Sequence, residues 1–141
     1  MKYFKLFIPA LVLSFLVFSC RDEDNINNPI IGEFDDLPVI VNTENSFTFT
    51  VNASKLDYYI EDNLTFTKDS LVCAVTLTNA SSDGSIVRLF DESNSIIFAE
   101  SLNQSKVVVN TELNGKLPKK IIVDLFNFTG QLTIVVAPEN P

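Results

Sequence analysis

The chain has 141 residues, with 10 Lys and Arg against 18 Asp and Glu, two Cys, and neither His nor Trp. This length suffices for one domain. Its formal net charge of −8 repels phosphate backbones, so the composition argues against nucleic acid as a partner. Without histidine the chain lacks the residue that serves Ser-His and Cys-His catalysis and most zinc sites. We therefore expect a non-enzymatic protein with no metal and no cofactor.

The first residues have the pattern of a signal peptide. Lys2 and Lys5 precede an apolar run from Leu6 to Phe18, which is interrupted only by one proline and one serine. A positive start followed by a short apolar core is typical of a secretory leader. A spanning helix needs about 20 apolar residues, which is more than this run provides. Residues 1–19 are therefore predicted to be a signal peptide that is removed.

The apolar run leads into Val17-Phe18-Ser19-Cys20, which resembles the lipobox of bacterial lipoproteins. In that motif an aliphatic residue and, two positions later, a small residue lead into an obligatory cysteine. The resemblance implies cleavage between Ser19 and Cys20, a diacylglyceryl group on the Cys20 thiol, and acylation of the freed amine. Each buried methylene contributes about 0.8 kcal/mol, so two or more acyl chains give a stable tether. The bulky Phe18 resembles the lipobox variant of Bacteroidota.

The residues after Cys20 bear on location. Arg21 stands where an aspartate would resemble the inner-membrane retention signal, and Asp22, Glu23 and Asp24 follow it. This acidic run is similar to the export signal of Bacteroidota surface lipoproteins. The resemblance implies a lipid-anchored outer-membrane protein that is surface-exposed rather than periplasmic. The alternative is an ordinary secretory signal or an N-terminal membrane helix, with Cys20 as a bystander.

Residues 20–45 comprise the lipidated cysteine and an acidic stretch with few apolar side chains. Such a composition predicts an extended, flexible tether. The apolar run at 37–41 is the exception and predicts a first edge strand, with Pro38 near its start where a missing N–H is tolerated. Residues 46–141 are predicted to form the folded domain.

From residue 46 onward, short β-branched and aromatic runs are separated by turn residues, and no stretch has a helical period. Alternating apolar positions predict half-buried strands. About eight or nine such strands without a helix predict an all-β fold, a single antiparallel β-sandwich of immunoglobulin-like or jelly-roll-like type. The predicted strands include 47–51, 64–67, 71–78, 86–90, 96–100, 107–109, 121–126 and 132–136, with turns at 79–84, 91–95, 114–115 and 127–130.

Cys73 is the only thiol left once Cys20 carries lipid, so no intramolecular disulfide is available. It shares a predicted strand face with Leu71 and Val75. We expect a small buried apolar group rather than a nucleophile, because no histidine is present to activate it.

Adjacent carboxylates occur at Asp35-Asp36, Glu61-Asp62 and Asp91-Glu92. Two carboxylates can serve as acid and base in glycoside hydrolysis, but neighbouring residues on a strand point to opposite faces. The pairs are predicted to solvate loops, with a weak calcium site as the alternative. No catalytic residue is predicted.

Tyr58 and Tyr59 are the candidate sugar contacts, because one of two successive rings must leave the core face of a strand. The alternative is that one ring packs under a loop. Asp69-Ser70-Leu71 is similar to the short O-glycosylation motif of Bacteroidota, in which Ser70 is the acceptor.

Taken together, the sequence predicts a cell-envelope lipoprotein that the N-terminal lipid attaches to the membrane. Its domain is expected to bind a protein or glycan ligand, as an adhesion or binding module without catalysis. The alternative is a structural accessory subunit of an outer-membrane or periplasmic complex, which pairs an exposed strand edge with a partner.

Overall fold

The computed structural model describes residues 36–68, 70–110, 113 and 115–139. The predicted signal peptide, Cys20, the export signal and most of the tether lie outside the described residues. The described chain folds into strands without a helix, and so none of it is a helix of the length and hydropathy that cross a membrane. The strands are β1 (Val39–Thr43), β2 (Ser46–Asn63), β3 (Leu71–Ser81), β4 (Ile86–Phe90), β5 (Ile96–Ser101), β6 (Gln104–Asn110) and β7 (Lys120–Pro138).

All described strands belong to one antiparallel sheet, organised around two long strands. β2 has 18 residues and β7 has 19, and they pair from Phe47 with Val136 to Asn63 with Lys120. The C-terminal part of β7 also pairs with β3, which pairs with β6, while β1 pairs with the start of β2. The N-terminal part of β7 pairs instead with β4, which pairs with β5. The sheet therefore has a five-stranded half (β1-β2-β7-β3-β6) and a four-stranded half (β2-β7-β4-β5).

β-Bulges bend the two long strands where the halves meet. Along β2 the more buried position of each successive pair is odd-numbered up to Ala53 and even-numbered from Leu56 onward. β7 changes in the same way between Leu125 and Phe128. Lys55 and Asn127 lie at these changes with φ of 60° and 47°, the positive values typical of bulge residues. The extra residue in each bulge shifts the alternation of side chains by one position. The apolar side chains therefore stay on the inner face of the sheet on both sides of the bend.

The inner faces of both halves form one hydrophobic core, as expected for a small β-sandwich. Phe47, Phe49 and Phe128 are fully buried at its centre. Val87, Leu89 and Ile121 of the four-stranded half belong to the same cluster. The predicted fold class, all-β with an antiparallel sandwich, is confirmed.

Two strand predictions are wrong. Residues 64–67 alternate like a strand, and Leu64 and Phe66 are buried at 3% and 2% exposure, but the segment is not part of the sheet. The N–H of Leu64 donates to the carbonyl of Lys119 at 2.8 Å, so the segment closes one end of the core as an extended loop. The predicted strands 121–126 and 132–136 are one continuous strand, because residues 127–130 form a bulged bend rather than a turn.

Three local predictions are confirmed. Within the described part of the chain, β1 is an edge strand paired with β2 alone. Residues 91–95 connect β4 and β5 as a hairpin. Gly115 has φ of 63° in a turn closed by the hydrogen bond from Lys116 N–H to the carbonyl of Leu113 at 3.0 Å.

Candidate functional site

The candidate site lies on the outer face of the four-stranded half, where the bend in β2 turns Tyr59 outward. Tyr59 pairs with Asp124 of β7, Asp124 pairs with Ile86 of β4, and Arg88 lies two residues along on the same face. Glu61 lies two residues along β2 from Tyr59, again on that face. We call this surface the Tyr59 face; it comprises Tyr59, Glu61, Arg88, Lys120 and Asp124.

Hydrogen bonds and an ion pair order the Tyr59 face. The Tyr59 hydroxyl donates to Glu61 Oε2 at 3.0 Å. Lys120 Nζ lies 3.2 Å from Glu61 Oε1 and 4.7 Å from the centroid of the Phe90 ring. The Tyr59 side chain is nevertheless 59% exposed. A large ring is thus held at its hydroxyl end while one aromatic surface remains open to solvent.

The charges around Tyr59 act on its pKa and on that of Glu61 in opposite directions. Donation of the Tyr59 hydroxyl to the Glu61 carboxylate raises the tyrosine pKa, and desolvation and the Glu61 charge add to this effect. The same hydrogen bond lowers the pKa of Glu61, together with the hydrogen bond and charge of Lys120. Neutral tyrosine and ionised glutamate are therefore both favoured near neutral pH.

This arrangement suits recognition of a ligand that carries hydroxyl groups. The open Tyr59 ring offers a surface for the apolar face of a sugar. The Glu61 and Asp124 carboxylates and, two strands away, the Arg88 guanidinium offer acceptors and donors on the same face. Its members lie across three strands rather than in a cavity. The face therefore offers contact along an extended surface.

The structure separates the two tyrosines that the sequence singled out. Tyr58 is half-buried, with its ring centroid 6.0 Å from that of Phe49 and an interplanar angle of 44°. Tyr59 lies on the opposite face of the strand. The prediction that one of the two rings leaves the core face is confirmed, whereas sugar contact by either ring stays a prediction.

Ser70 is exposed, as an acceptor for a glycan must be. Its hydroxyl donates to Glu139 Oε2 at 3.1 Å, and the N–H of Glu139 donates to the Ser70 carbonyl at 3.0 Å. Asp69 lies outside the described residues, and glycosylation of Ser70 stays a prediction.

Cys73 is fully buried, and burial raises the pKa of its thiol to about 12. The thiolate is therefore negligible near neutral pH. The prediction of a buried apolar group at this position is confirmed.

In each adjacent pair one carboxylate accepts a hydrogen bond from backbone or a neighbouring side chain, namely Asp36, Glu61 and Asp91. Asp36 Oδ1 accepts the N–H of Ser54 at 2.7 Å, whereas Asp35 lies outside the described residues. Asp91 Oδ1 accepts the N–H groups of Ser93 and Ser95, both at 2.9 Å. The hydrogen bond from the Ser93 hydroxyl and that from the Ser95 N–H, together with the hydrogen bond and charge of Lys116, lower the pKa of Asp91 to about 2. Within the described ranges no three acidic or cysteine side chains group as metal ligands.

A second surface, which sequence reasoning missed, is the outer face of the five-stranded half. Cross-strand pairing aligns its residues in two rows, each with one residue from β1, β2, β7, β3 and β6. We call it the Val-Thr face; its rows are Val41, Thr48, Val135, Ala74, Val109 and Val39, Thr50, Thr133, Thr76, Val107.

The Val-Thr face is uncharged and apolar at both edges. Its four edge valines are exposed, from 47% at Val41 to 68% at Val107. At its centre one hydrogen bond of 3.2 Å joins the hydroxyls of Thr50 and Thr133. The neighbouring positions Asn52, Gln131 and Thr78 are polar but also uncharged.

A third feature is the open seam between β5 and β6. These consecutive strands pair with β4 and β3 respectively, and the pairings of the described strands do not join them to each other. A depression of about 630 Å³ lies between them, lined by Ile97, Phe98 and Val108 among others. The ion pair between Lys106 and Glu100 bridges the strands.

Comparison with known protein families and with curated proteins finds no match. Among solved structures, the chain is similar to a protein of Bacillus endospore appendages, a family of disulfide-linked pili, with 11% identity and a TM-score of 0.37 over 71% of this chain and 88% of that one. It is also similar to a chain of a glycosylation-associated protein complex from Streptococcus agalactiae, with 11% identity and a TM-score of 0.34. That match covers 85% of this chain but 43% of the other. These scores carry no conclusion about function.

Proposed function

We propose that this protein is a lipid-anchored, surface-exposed outer-membrane protein whose β-sandwich binds a glycan without catalysis. The exposed, hydrogen-bonded ring of Tyr59 beside Glu61 and Arg88 carries the binding part of the proposal. The Val17-Phe18-Ser19-Cys20 motif supports the anchor, and the acidic run after it supports export to the outer face.

The anchor is tested by metabolic labelling with a fatty acid analogue in a Gram-negative host. The wild-type chain is expected to incorporate the label, and Cys20→Ala is expected to abolish labelling and leave the leader uncleaved. Cys73→Ala is the matched control, because it removes the other cysteine and should retain the label. Labelling that persists in Cys20→Ala would refute the anchor.

Surface exposure is tested with protease on intact cells that express a C-terminally tagged chain. Loss of the tag on intact cells is the expected result. Protection until the outer membrane is opened would contradict exposure and place the domain in the periplasm.

The binding site is tested with a glycan array and envelope polysaccharides as probes. Tyr59→Ala is expected to weaken binding at least about tenfold, the loss typical of truncating a central aromatic contact. Tyr59→Phe keeps the ring and should retain most of the affinity. Leu37→Ala is the matched control, since Leu37 is 69% exposed and lies beside Asn52 and Gln131 of the five-stranded half, away from the Tyr59 face. Equal affinity of Tyr59→Ala and wild type, or no glycan bound by the wild type, would refute this site.

The seam between β5 and β6 favours a second candidate function, that of an accessory subunit in an envelope complex. Among the strands that the structure describes, β5 and β6 each have one edge without a neighbour, and an edge of this kind accepts an added strand from a partner. Photo-crosslinking from position 99, in the middle of β5, tests this function in cells. A stoichiometric envelope protein in the crosslinked product is expected if the chain is a subunit, and its absence would exclude this candidate.

A further inference from the structure

The Val-Thr face is unusual for this chain because it carries no charge. The whole sequence has 18 Asp and Glu and a formal net charge of −8, yet both cross-strand rows of this face consist of Val, Thr and Ala. The outer face of the four-stranded half, by contrast, has Glu61, Arg88, Lys120 and Asp124. Charge depletion combined with exposed apolar side chains is the composition of an interface core.

The central pair of hydroxyls on the Val-Thr face favours a dry contact. One of the Thr50 and Thr133 hydroxyls donates a hydrogen bond to the other at 3.2 Å in the middle of the face. Covering them with another protein surface therefore leaves a hydrogen bond in place, and the usual cost of burying an unpaired hydroxyl is reduced. Val39 and Val107, at opposite ends of the same row, supply apolar area to bury.

The size of the face reaches what a specific dimer needs. With strands about 4.8 Å apart and rows about 6.8 Å apart, the two rows of five strands cover roughly 24 Å by 14 Å. The uncharged positions that flank these rows extend the area to roughly 560 Å² per face; they are Thr43, Ser46, Val72 and Ala137 on one side and Asn52, Gln131 and Thr78 on the other. Two such faces bury on the order of 1,100 Å², just above the minimum of about 1,000 Å² for a biological interface. Two sheets pack face to face about 10 Å apart, so a flat sheet surface is a natural partner.

We infer that the Val-Thr face binds the same face of a second copy of this chain, in a symmetric homodimer. Two acidic chains repel each other wherever their carboxylates meet. The uncharged Val-Thr face is therefore the surface through which two copies approach with the lowest electrostatic cost. A two-fold axis brings the same patch of both copies together, which is the commonest arrangement of soluble oligomers. This inference is independent of glycan binding, and it leaves both Tyr59 faces on the outside of the dimer.

The dimer is tested by sedimentation equilibrium of the mature chain, purified from membranes in density-matched mild detergent. The wild type is expected to show a monomer–dimer equilibrium. Val107→Glu is expected to weaken dimerisation at least tenfold, because two-fold symmetry buries two added carboxylates. Val39→Glu, at the other edge of the row, provides a second variant with the same expectation.

Ile96→Glu is the matched control, because Ile96 and Val39 are both 56% exposed and only Val39 lies on the Val-Thr face. The control is expected to dimerise like the wild type. Higher salt should strengthen the wild-type dimer, since screening reduces repulsion between the acidic chains. A monomeric wild type, or equal weakening by Val107→Glu and Ile96→Glu, would overturn the inference.

Discussion

Gly130 is where the fold depends most sharply on one residue, and we expect Gly130→Ala to destabilise the protein severely. Gly130 has φ of 125° in the bend of β7. A Cβ built there lies 2.7 Å from the carbonyl oxygen of Asn79 and 2.8 Å from both Ala80 Cα and the carbonyl oxygen of Thr78. All three atoms are backbone, so no side-chain rotation relieves the contacts.

The expected cost combines two effects of comparable size. A non-glycine residue held at this φ costs about 1–3 kcal/mol. Displacing packed backbone to admit the methyl group costs a further 1–3 kcal/mol or so, as overpacking does in cores. We therefore expect a loss of about 4 kcal/mol in the free energy of unfolding, a large part of the stability of a small domain.

Gly84 offers a matched control for this prediction. Its φ is 124°, but a Cβ there has no atom within 4 Å. Gly84→Ala thus reports the backbone strain alone. Urea unfolding followed by circular dichroism gives both free energies. If Gly130→Ala costs no more than Gly84→Ala, the close packing of β3 across the bend is not a determinant of stability.

Three further predictions concern the core and one loop. Cys73→Ser should lower the free energy of unfolding by about 1–3 kcal/mol in urea titrations, because it buries a hydroxyl in the core; an unchanged value would contradict the burial of this side chain. Phe128→Ala should cost about 3–5 kcal/mol by the same measurement, since it removes a fully buried ring, and a cost below about 1 kcal/mol would refute its central position. Asp91 has a pKa lowered to about 2, so it stabilises the fold above its unfolded pKa of about 3.9 and loses that effect as the pH falls through 2. Asp91→Asn should therefore lower the Tm at neutral pH, and its Tm should approach that of the wild type near pH 2. Glu92→Gln is the control and should leave the Tm unchanged. A Tm difference between Asp91→Asn and wild type that does not vary with pH would contradict a stabilising role of the ionised Asp91 carboxylate.

The fold class could be predicted because apolar and polar residues alternate within each half of the long strands β2 and β7. Phe47 to Val51 and Leu132 to Val136 alternate as predicted and lie in the sheet. The continuity of β7 was not predictable, because Asn127 and Gly130 are turn residues by composition and form a bulged bend here. Residues 64–67 show the opposite case: their burial alternates as in a strand, yet they are not part of the sheet. Alternating burial therefore does not require a paired neighbouring strand.

Only the part of the candidate site that depends on local strand geometry could be predicted from the sequence. Two adjacent tyrosines on a strand must face opposite ways, but the odd-even change at the β2 bulge determines that Tyr59 is the exposed one. The Val-Thr face was not predictable, because its rows combine residues from five strands whose order follows from tertiary pairing. No local pattern marks Val39 and Val107 as members of one surface.

The two proposed surfaces lie on opposite layers of the sandwich, and this arrangement has a consequence for binding. A dimer through the Val-Thr face therefore points its two Tyr59 faces in opposite directions, so one flat glycan surface engages only one of them. Val107→Glu is expected to leave both attachment to immobilised polysaccharide and monovalent oligosaccharide binding unchanged, measured by surface plasmon resonance. A loss of binding in either format would contradict the independence of the two surfaces.

The central claim, that lipid on Cys20 attaches this protein to the membrane, is tested most directly by intact mass spectrometry of the chain extracted from membranes. We expect a mature chain that begins at Cys20 and carries the mass of a diacylglyceryl group, with a further acyl group on the amine. A chain that begins at another residue, or at Cys20 without added lipid mass, would contradict it.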